Sequence, residues 1–469
     1  MSIYEEINGF FTPKSIAVIG ASSTPGKIGY AVLKNLLDFA KSGGKVYPVN
    51  PVREEILGLK AYKSILDIPD KIDMAVVVIR SENVPSLIDQ CAEKGVRNIV
   101  IISGGFKELG GKYRDLEAEI AKKARRYGIR IIGPNCIGVY DPETKVDTLF
   151  QPKERMLRPN SGNVAFLTQS GTYGIVFLEW AAMDGLGISK FVSYGNKVDV
   201  DEADLLLYLK DEPNTKVIGI YLEGIGDGRR FFNALKEVTN VKPVVILRGG
   251  WSEAAVKAAL SHTGFLGGKG RIYEAAFKQS GAIIAKNLEE LYDMVKALAK
   301  QPPAKGPNVA MVSNGAGPMV QAVDAVSVEG LRLSKLSEET LKGLKNELPP
   351  FTIVDNPVDI TGSATPAEYE IALRYLLDDP NVNIVFVFFV HQNSPMSEEI
   401  IDVMEKIHKK AREKGKPILA GAAGGPYTLE VNKKIEEIGI PTYNIPERLV
   451  MAAKALYLWG KRRFTLPAP

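Results

Sequence analysis

Short runs of β-branched residues that close on Gly, Asn or Ser recur through the start of this chain, and they dictate the kind of core it builds. "SIAVIG" (15–20), "KVYPVN" (45–50), "MAVVVI" (74–79), "NIVIIS" (98–103) and "IRIIG" (129–133) alternate with amphipathic stretches such as "LEAEIAKKARRYG" (116–128). Runs that are apolar at every position make strands covered on both faces. Their alternation with helices predicts a parallel α/β sheet of Rossmann type.

The pattern then starts again, twice. "NSGNVAFLTQSGTYG" (160–174) opens a second unit, with strands at 188–195, 216–223 and 242–250. "QPPAKGP" (301–307) reads as a linker, and "NVAMVSNGAGPMV" (308–320) opens a third unit. "NVAFLTQSGT" and "NVAMVSNGAG" begin at Asn163 and Asn308, 145 residues apart. Segments 205–224 and 371–391 match next, then 242–250 and 416–425, in the same order. That order predicts a duplicated domain of flavodoxin-like type. The expected layout is a Rossmann domain over 1–145, then flavodoxin-like α/β domains over 146–300 and 301–469.

A chain of 469 residues needs more than one core. Its net charge of +4 is too small and too evenly spread for nucleic acid or an anionic membrane as main partner. The basic runs 122–130 and 406–416 alternate with acids and read as solvated helix faces, and His408 reads as a surface or core residue without a catalytic part. Cys91 and Cys136 stand in no metal-binding or disulfide spacing, which fits a reducing compartment. The start of the chain lacks the pattern of a signal peptide, and the apolar run 384–390 is far too short to span a bilayer. A cytoplasmic protein is expected.

Three places carry chemistry. The first strand runs into "GASSTPGKIGY" (20–30), where small residues let backbone N–H groups approach a phosphate. Its spacing, G-x5-G-x2-G, is not the dinucleotide fingerprint. The second strand ends in Asn50, Pro51 and then Arg53, where a nicotinamide domain wants an acid for the ribose. A cation there suits extra phosphate, as in coenzyme A. Gly20, Ser22, Ser23, Thr24, Pro25, Gly26 and Lys27, with Asn50, Pro51 and Arg53, are the candidate ligands. Next comes "SHTGFLGGKG" (261–270): His262, one of three histidines, stands at the root of a glycine-rich stretch. It has no neighbour at chelating distance, so no metal is expected, but a neutral imidazole can accept a phosphoryl group. Ser170, Gly171 and Thr172, and Asn314, Gly315, Ala316 and Gly317, each join a strand to a helix start and offer N–H groups to such an anion. Glu223 ends an otherwise apolar strand and is placed to orient the imidazole. His391 also ends a buried strand, with no partner evident in the sequence.

Together these segments resemble the nucleoside-diphosphate-forming acyl-CoA synthetases, the superfamily of succinyl-CoA synthetase. "GPNCIG" (133–138), "TQSGT" (168–172), "YLEG" (221–224), "SHTG" (261–264), "SNGAG" (313–317) and "NPVDITGSAT" (356–365) carry the resemblance. The domain order resembles the α subunits of ADP-forming acetyl-CoA synthetases. The resemblance implies that acyl-CoA such as acetyl-CoA, ADP and phosphate are converted to a carboxylic acid, ATP and CoA through an acyl phosphate and phosphorylated His262. It adds Ser103, Gly104 and Asn135 to the CoA site. It also implies a partner β subunit with an ATP-grasp module that holds ADP or ATP and Mg²⁺, in an α2β2 complex. Ser103-Gly104-Gly105 replaces the Thr-Glu-Gly of succinyl-CoA synthetase, which argues against succinate. Two other readings stand beside this one: a non-catalytic CoA-sensing scaffold, and a nicotinamide-dependent oxidoreductase.

Overall fold

The first apolar run forms β1 (Ser15–Ile19), buried at all five positions, with β2 (Lys45–Val49), β3 (Met74–Val77), β4 (Asn98–Ile101) and β5 (Arg130–Ile132) beside it. These belong to a computed structural model that describes residues 2–250 and 270–465. All pairings are parallel, in the order β2-β1-β3-β4-β5. The chain leaves β1 for one side and returns at β3 on the other. Doubly wound sheets bind ligands where the strand order reverses in this way, beyond the carboxyl ends of the strands.

A second sheet contains β6 (Gly138–Asp141), β7 (Val146–Asp147), β8 (Ser161–Thr168), β9 (Ile188–Ser193), β10 (Val217–Leu222), β11 (Val244–Arg248) and β12 (Ile283–Ala285). Its order is β12-β11-β10-β8-β9-β6-β7. The five strands from β8 onward are parallel in the flavodoxin-like arrangement, whereas β6 adds to β9 antiparallel. Gly138–Asp141 was expected to close the first domain. It instead feeds the edge of the second sheet, with Tyr140 opposite Phe191. Both sheets lie in one compact unit, Met1–Lys286, and share a hydrophobic cluster running from Ile7 to Ala282. Arg130 ties them together: its guanidinium donates to Asp199 and Asp204 at 2.9 Å and to Glu6 at 2.5 Å. This network offsets the desolvation of a largely buried cation.

The other unit, Asn287–Pro469, holds β13 (Asn308–Ser313), β14 (Arg332–Leu333), β15 (Val358–Asp359), β16 (Ile384–Phe388), β17 (Ile418–Gly421) and β18 (Thr442–Tyr443). The order is β14-β13-β16-β17-β18, parallel, with β15 beside β13. Thus β13 occupies the same topological position as β8, as the duplicated sequence predicts. The units divide at Lys286/Asn287, ahead of the Pro-rich 301–307 stretch. Helix Leu288–Lys300 packs on helix Pro446–Thr465, and Arg448 makes a two-pronged ion pair with buried Asp293 at 2.7 and 2.8 Å. His408 is a core residue of its basic stretch: it faces inward on helix Ile400–Lys414 with Ile407 and Ala411, and burial lowers its pKa. Among the described residues no helix is long and apolar enough to cross a membrane.

Candidate functional site

The loop after β1 owes its shape to glycines. Gly20 has φ +90°, and a Cβ there would lie 2.4 Å from the Val78 carbonyl oxygen. A Cβ at Gly29 would lie 2.1 Å from the Gly20 oxygen, so only glycine lets helix Ile28–Asn35 begin directly on the strand end. No side chain caps that helix, which leaves its first N–H groups open to a ligand. Gly29→Ala is expected to cost about 1–3 kcal/mol of stability, read by denaturant unfolding, because backbone and not a movable side chain opposes the new methyl. Wild-type stability in that variant would refute the tight approach.

The two candidate anion cradles use the same device. After β8, Thr168 Oγ1 accepts from Ser170 N at 3.0 Å and donates to Ser170 O at 2.8 Å. After β13, Ser313 Oγ accepts from Gly315 N at 3.0 Å and donates to Gly315 O at 2.8 Å. Each hydroxyl fixes the turn into a 13-residue helix, Gly171–Met183 or Ala316–Val328. The Asn314 side chain is taken up elsewhere: it exchanges bonds with the Val390 backbone and accepts from Tyr369. Asn314 therefore locks its loop to the end of β16, and its own N–H donates to Tyr369 Oη at 3.0 Å.

In Met1–Lys286 the carboxyl ends of both sheets open into a cavity of about 1090 Å³. From the first sheet it is lined by Gly20, Ser22, Gly26, Lys27 and Asn50, with Ser103, Gly104 and Asn135. From the second come Ser170, Gly171, Thr172 and Glu223. Ser23, Thr24, Pro25, Pro51 and Arg53 are exposed and are not among the lining residues. The Asn50 side chain serves the loops themselves, donating to Ala21 O at 2.8 Å and accepting from Val52 N and Arg53 N. Glu108, absent from the sequence reading, shapes the wall. It accepts from Gly105 N at 2.6 Å and from Asn196 Nδ2 at 2.7 Å, pinning the 103–106 loop to the second sheet. These hydrogen bonds outweigh its desolvation and hold its carboxyl below the usual range.

Glu223 is half-buried at the switch point of the second sheet. Its Oε1 accepts from Tyr221 Oη at 3.3 Å, while Oε2 is buried with no hydrogen-bond partner among the described residues. Burial, with Glu223 alongside, raises the Tyr221 pKa and keeps the phenol protonated. Cys136 also lines the cavity, but burial pushes its thiol up to about 12, which rules out a thiolate carrier at neutral pH. His262 lies outside the described residues. His391 is buried and stacked on Phe389 with centroids 4.9 Å apart, and burial lowers its pKa to about 4. It is neutral at pH 7. Among the described residues no group of three or more His, Cys, Asp or Glu could hold a metal ion.

Family models match the chain in three consecutive blocks. A CoA binding domain covers residues 14–142, a succinyl-CoA ligase like flavodoxin domain 161–298, and a Ligase-CoA domain 309–467. With the cavity, they define a protein of the CoA-ligase class. The alpha subunit of Acetate–CoA ligase [ADP-forming] I of Pyrococcus furiosus is 42% identical over 97% of this chain and 98% of its own length. Acetate–CoA ligase [ADP-forming] I of Archaeoglobus fulgidus is 40% identical over 96% of this chain but only 63% of its own. Among solved structures, the dinucleotide forming Acetyl-coenzyme A synthetase 1 of Ca. Korarchaeum cryptofilum, in complex with phosphate and ADP, matches at TM-score 0.89 and 39% identity. That match covers 98% of this chain and 97% of the other. The chain belongs to the family of ADP-forming acetate–CoA ligase alpha subunits.

Proposed function

We propose that the chain is the α subunit of a cytoplasmic ADP-forming acid–CoA ligase that interconverts acyl-CoA, ADP and phosphate with carboxylic acid, ATP and CoA. The observation that carries the reading is the single cavity joining the glycine-shaped loop of the first sheet to Ser170 and Glu223 of the second. CoA fits its first-sheet end: Gly20 and Gly29 leave no room for side chains, and the uncapped helix start offers N–H groups to phosphate oxygens. Lys27 lies in the wall, and Arg53 stands nearby in sequence for a further phosphate. Phosphate attacks the thioester carbonyl, CoA leaves as the thiol, and an acyl phosphate forms. His262 then attacks phosphorus and the carboxylate departs. Glu223 receives the N–H of the resulting imidazolium, and the helix start at 170–172 offers its N–H groups to the phosphoryl oxygens.

Transfer to ADP is assigned to a β subunit with an ATP-grasp module and Mg²⁺, in an α2β2 complex. Two facts support that division. The P. furiosus relative, matched over nearly its whole length, is named a subunit alpha. The A. fulgidus relative extends well beyond the matched region.

The test is calorimetric titration of the chain with CoA and with NAD. Saturable CoA binding and no heat from NAD are expected, because Asn50 and Arg53 stand where a nicotinamide domain needs an acid. NAD binding without CoA binding would overturn the reading in favour of an oxidoreductase.

A further inference from the structure

Gln169 sits between β8 and the Ser170 helix start and lines the same cavity. It is 8% exposed, and both ends of its amide are accounted for differently. Its Oε1 accepts from Glu223 N at 2.5 Å and from Gly224 N at 3.0 Å. Those two donors fix the orientation of the amide, since a flipped amide would set NH₂ against two N–H groups. The Nε2 donor is buried and has no hydrogen-bond partner among the described residues. A buried donor left without an acceptor is costly, and a ligand oxygen would remove that cost. Among the described residues lining the cavity, the other buried polar side-chain atoms without a partner are acceptors, Glu223 Oε2 and Gln151 Oε1. The second sheet thus presents one donor and one acceptor to whatever reacts there.

We propose that Gln169 Nε2 binds the carboxyl oxygen of the acyl substrate. That oxygen is the carbonyl of the acyl phosphate and one oxygen of the free acid. The inference rests on the ligase reading above. Phosphoryl oxygens already have the N–H groups of the Gly171–Met183 helix start, whereas Gln169 Nε2, among the described residues lining the cavity, is the buried side-chain donor left without an acceptor. Ile137, Phe150 and Ile175 line the cavity too and suit a short apolar acyl chain. Gln169 is then a substrate-contacting residue.

Gln169→Glu separates this role from a structural one. The new carboxylate still accepts from Glu223 N and Gly224 N but replaces the donor by a repelling oxygen. Gln169→Met removes both functions. Each would be assayed in the reconstituted complex with acetate, CoA and ATP, reading both KM values and the phosphoryl label on the chain from ATP. The expected result is an acetate KM raised at least tenfold in both variants, with the CoA KM within twofold of wild type and full labelling. A defect in Gln169→Met with wild-type behaviour in Gln169→Glu would overturn the proposal and leave a loop-holding role. Lost labelling with an unchanged acetate KM would overturn it in favour of a phosphoryl contact. A wild-type complex that forms no acyl-CoA would instead sink the ligase reading, and the proposal with it.

Discussion

Replacing His262 by alanine is expected to abolish the phosphoryl label and to lower turnover by about 10³-fold or more. The complex would be incubated with γ-labelled ATP and Mg²⁺, and the label on this chain should be acid-labile and base-stable, as a phosphorus–nitrogen bond is. The physical case rests on elimination within the sequence. A phosphoryl carrier must be nucleophilic at neutral pH without a strong base, and imidazole qualifies at its ordinary pKa of about 6.5. The chain has three histidines. His391 is neutral but buried with its ring stacked on Phe389, and His408 is buried on the inner face of a helix. His262 alone stands in a glycine-rich stretch, Ser261 to Gly270. Equal labelling of wild type and His262→Ala would sink the assignment. His391→Gln, labelled like wild type, is the matching control.

The parallel strands were legible because each carries an almost unbroken apolar run, the pattern of a sheet covered on both faces. The duplication was legible too, and its physical content is local. Thr168 and Ser313 close the same turn by the same pair of bonds two residues ahead. What stayed hidden depends on partners far off in sequence. Asn314 reads as a loop ligand until Tyr369 and Val390, 55 and 76 residues on, occupy its amide. The antiparallel edge made by Gly138–Asp141 depends on β9, some 50 residues later, and no periodicity announces it. Gln169 was visible as a letter in "TQSGT", but a polar residue between a strand and a serine ordinarily signals only a turn. Its meaning comes from two backbone N–H groups 54 and 55 residues away. Whether His408 faced water or core stayed open because one inward-facing residue in a basic helix leaves the charge pattern unchanged.

Glu223→Gln is expected to slow phosphoryl transfer about 10²–10³-fold while leaving CoA affinity within twofold of wild type. The substitution keeps the size and shape of the side chain, and an amide oxygen can still accept from Tyr221 Oη. What it removes is the negative charge at Oε2, the buried atom without a partner. When His262 attacks phosphorus its ring gains positive charge. In a water-excluded pocket a fixed carboxylate stabilises that charge far more than a neutral amide does. The same charge does nothing for CoA phosphates, whose proposed place is the Gly20–Gly29 loop of the other sheet and which would be repelled by it at close range. Single-turnover discharge of the labelled complex by ADP isolates the transfer step, and titration with CoA isolates binding. Tyr221→Phe tests the arrangement from the opposite side: it deletes one 3.3 Å hydrogen bond to Glu223 and keeps the charge, so its effect should stay below about tenfold. If Glu223→Gln and Tyr221→Phe slowed discharge equally, orientation and not charge would be the contribution of Glu223. If Glu223→Gln weakened CoA as much as it slowed transfer, the carboxylate would be supporting the cavity wall and not the imidazole.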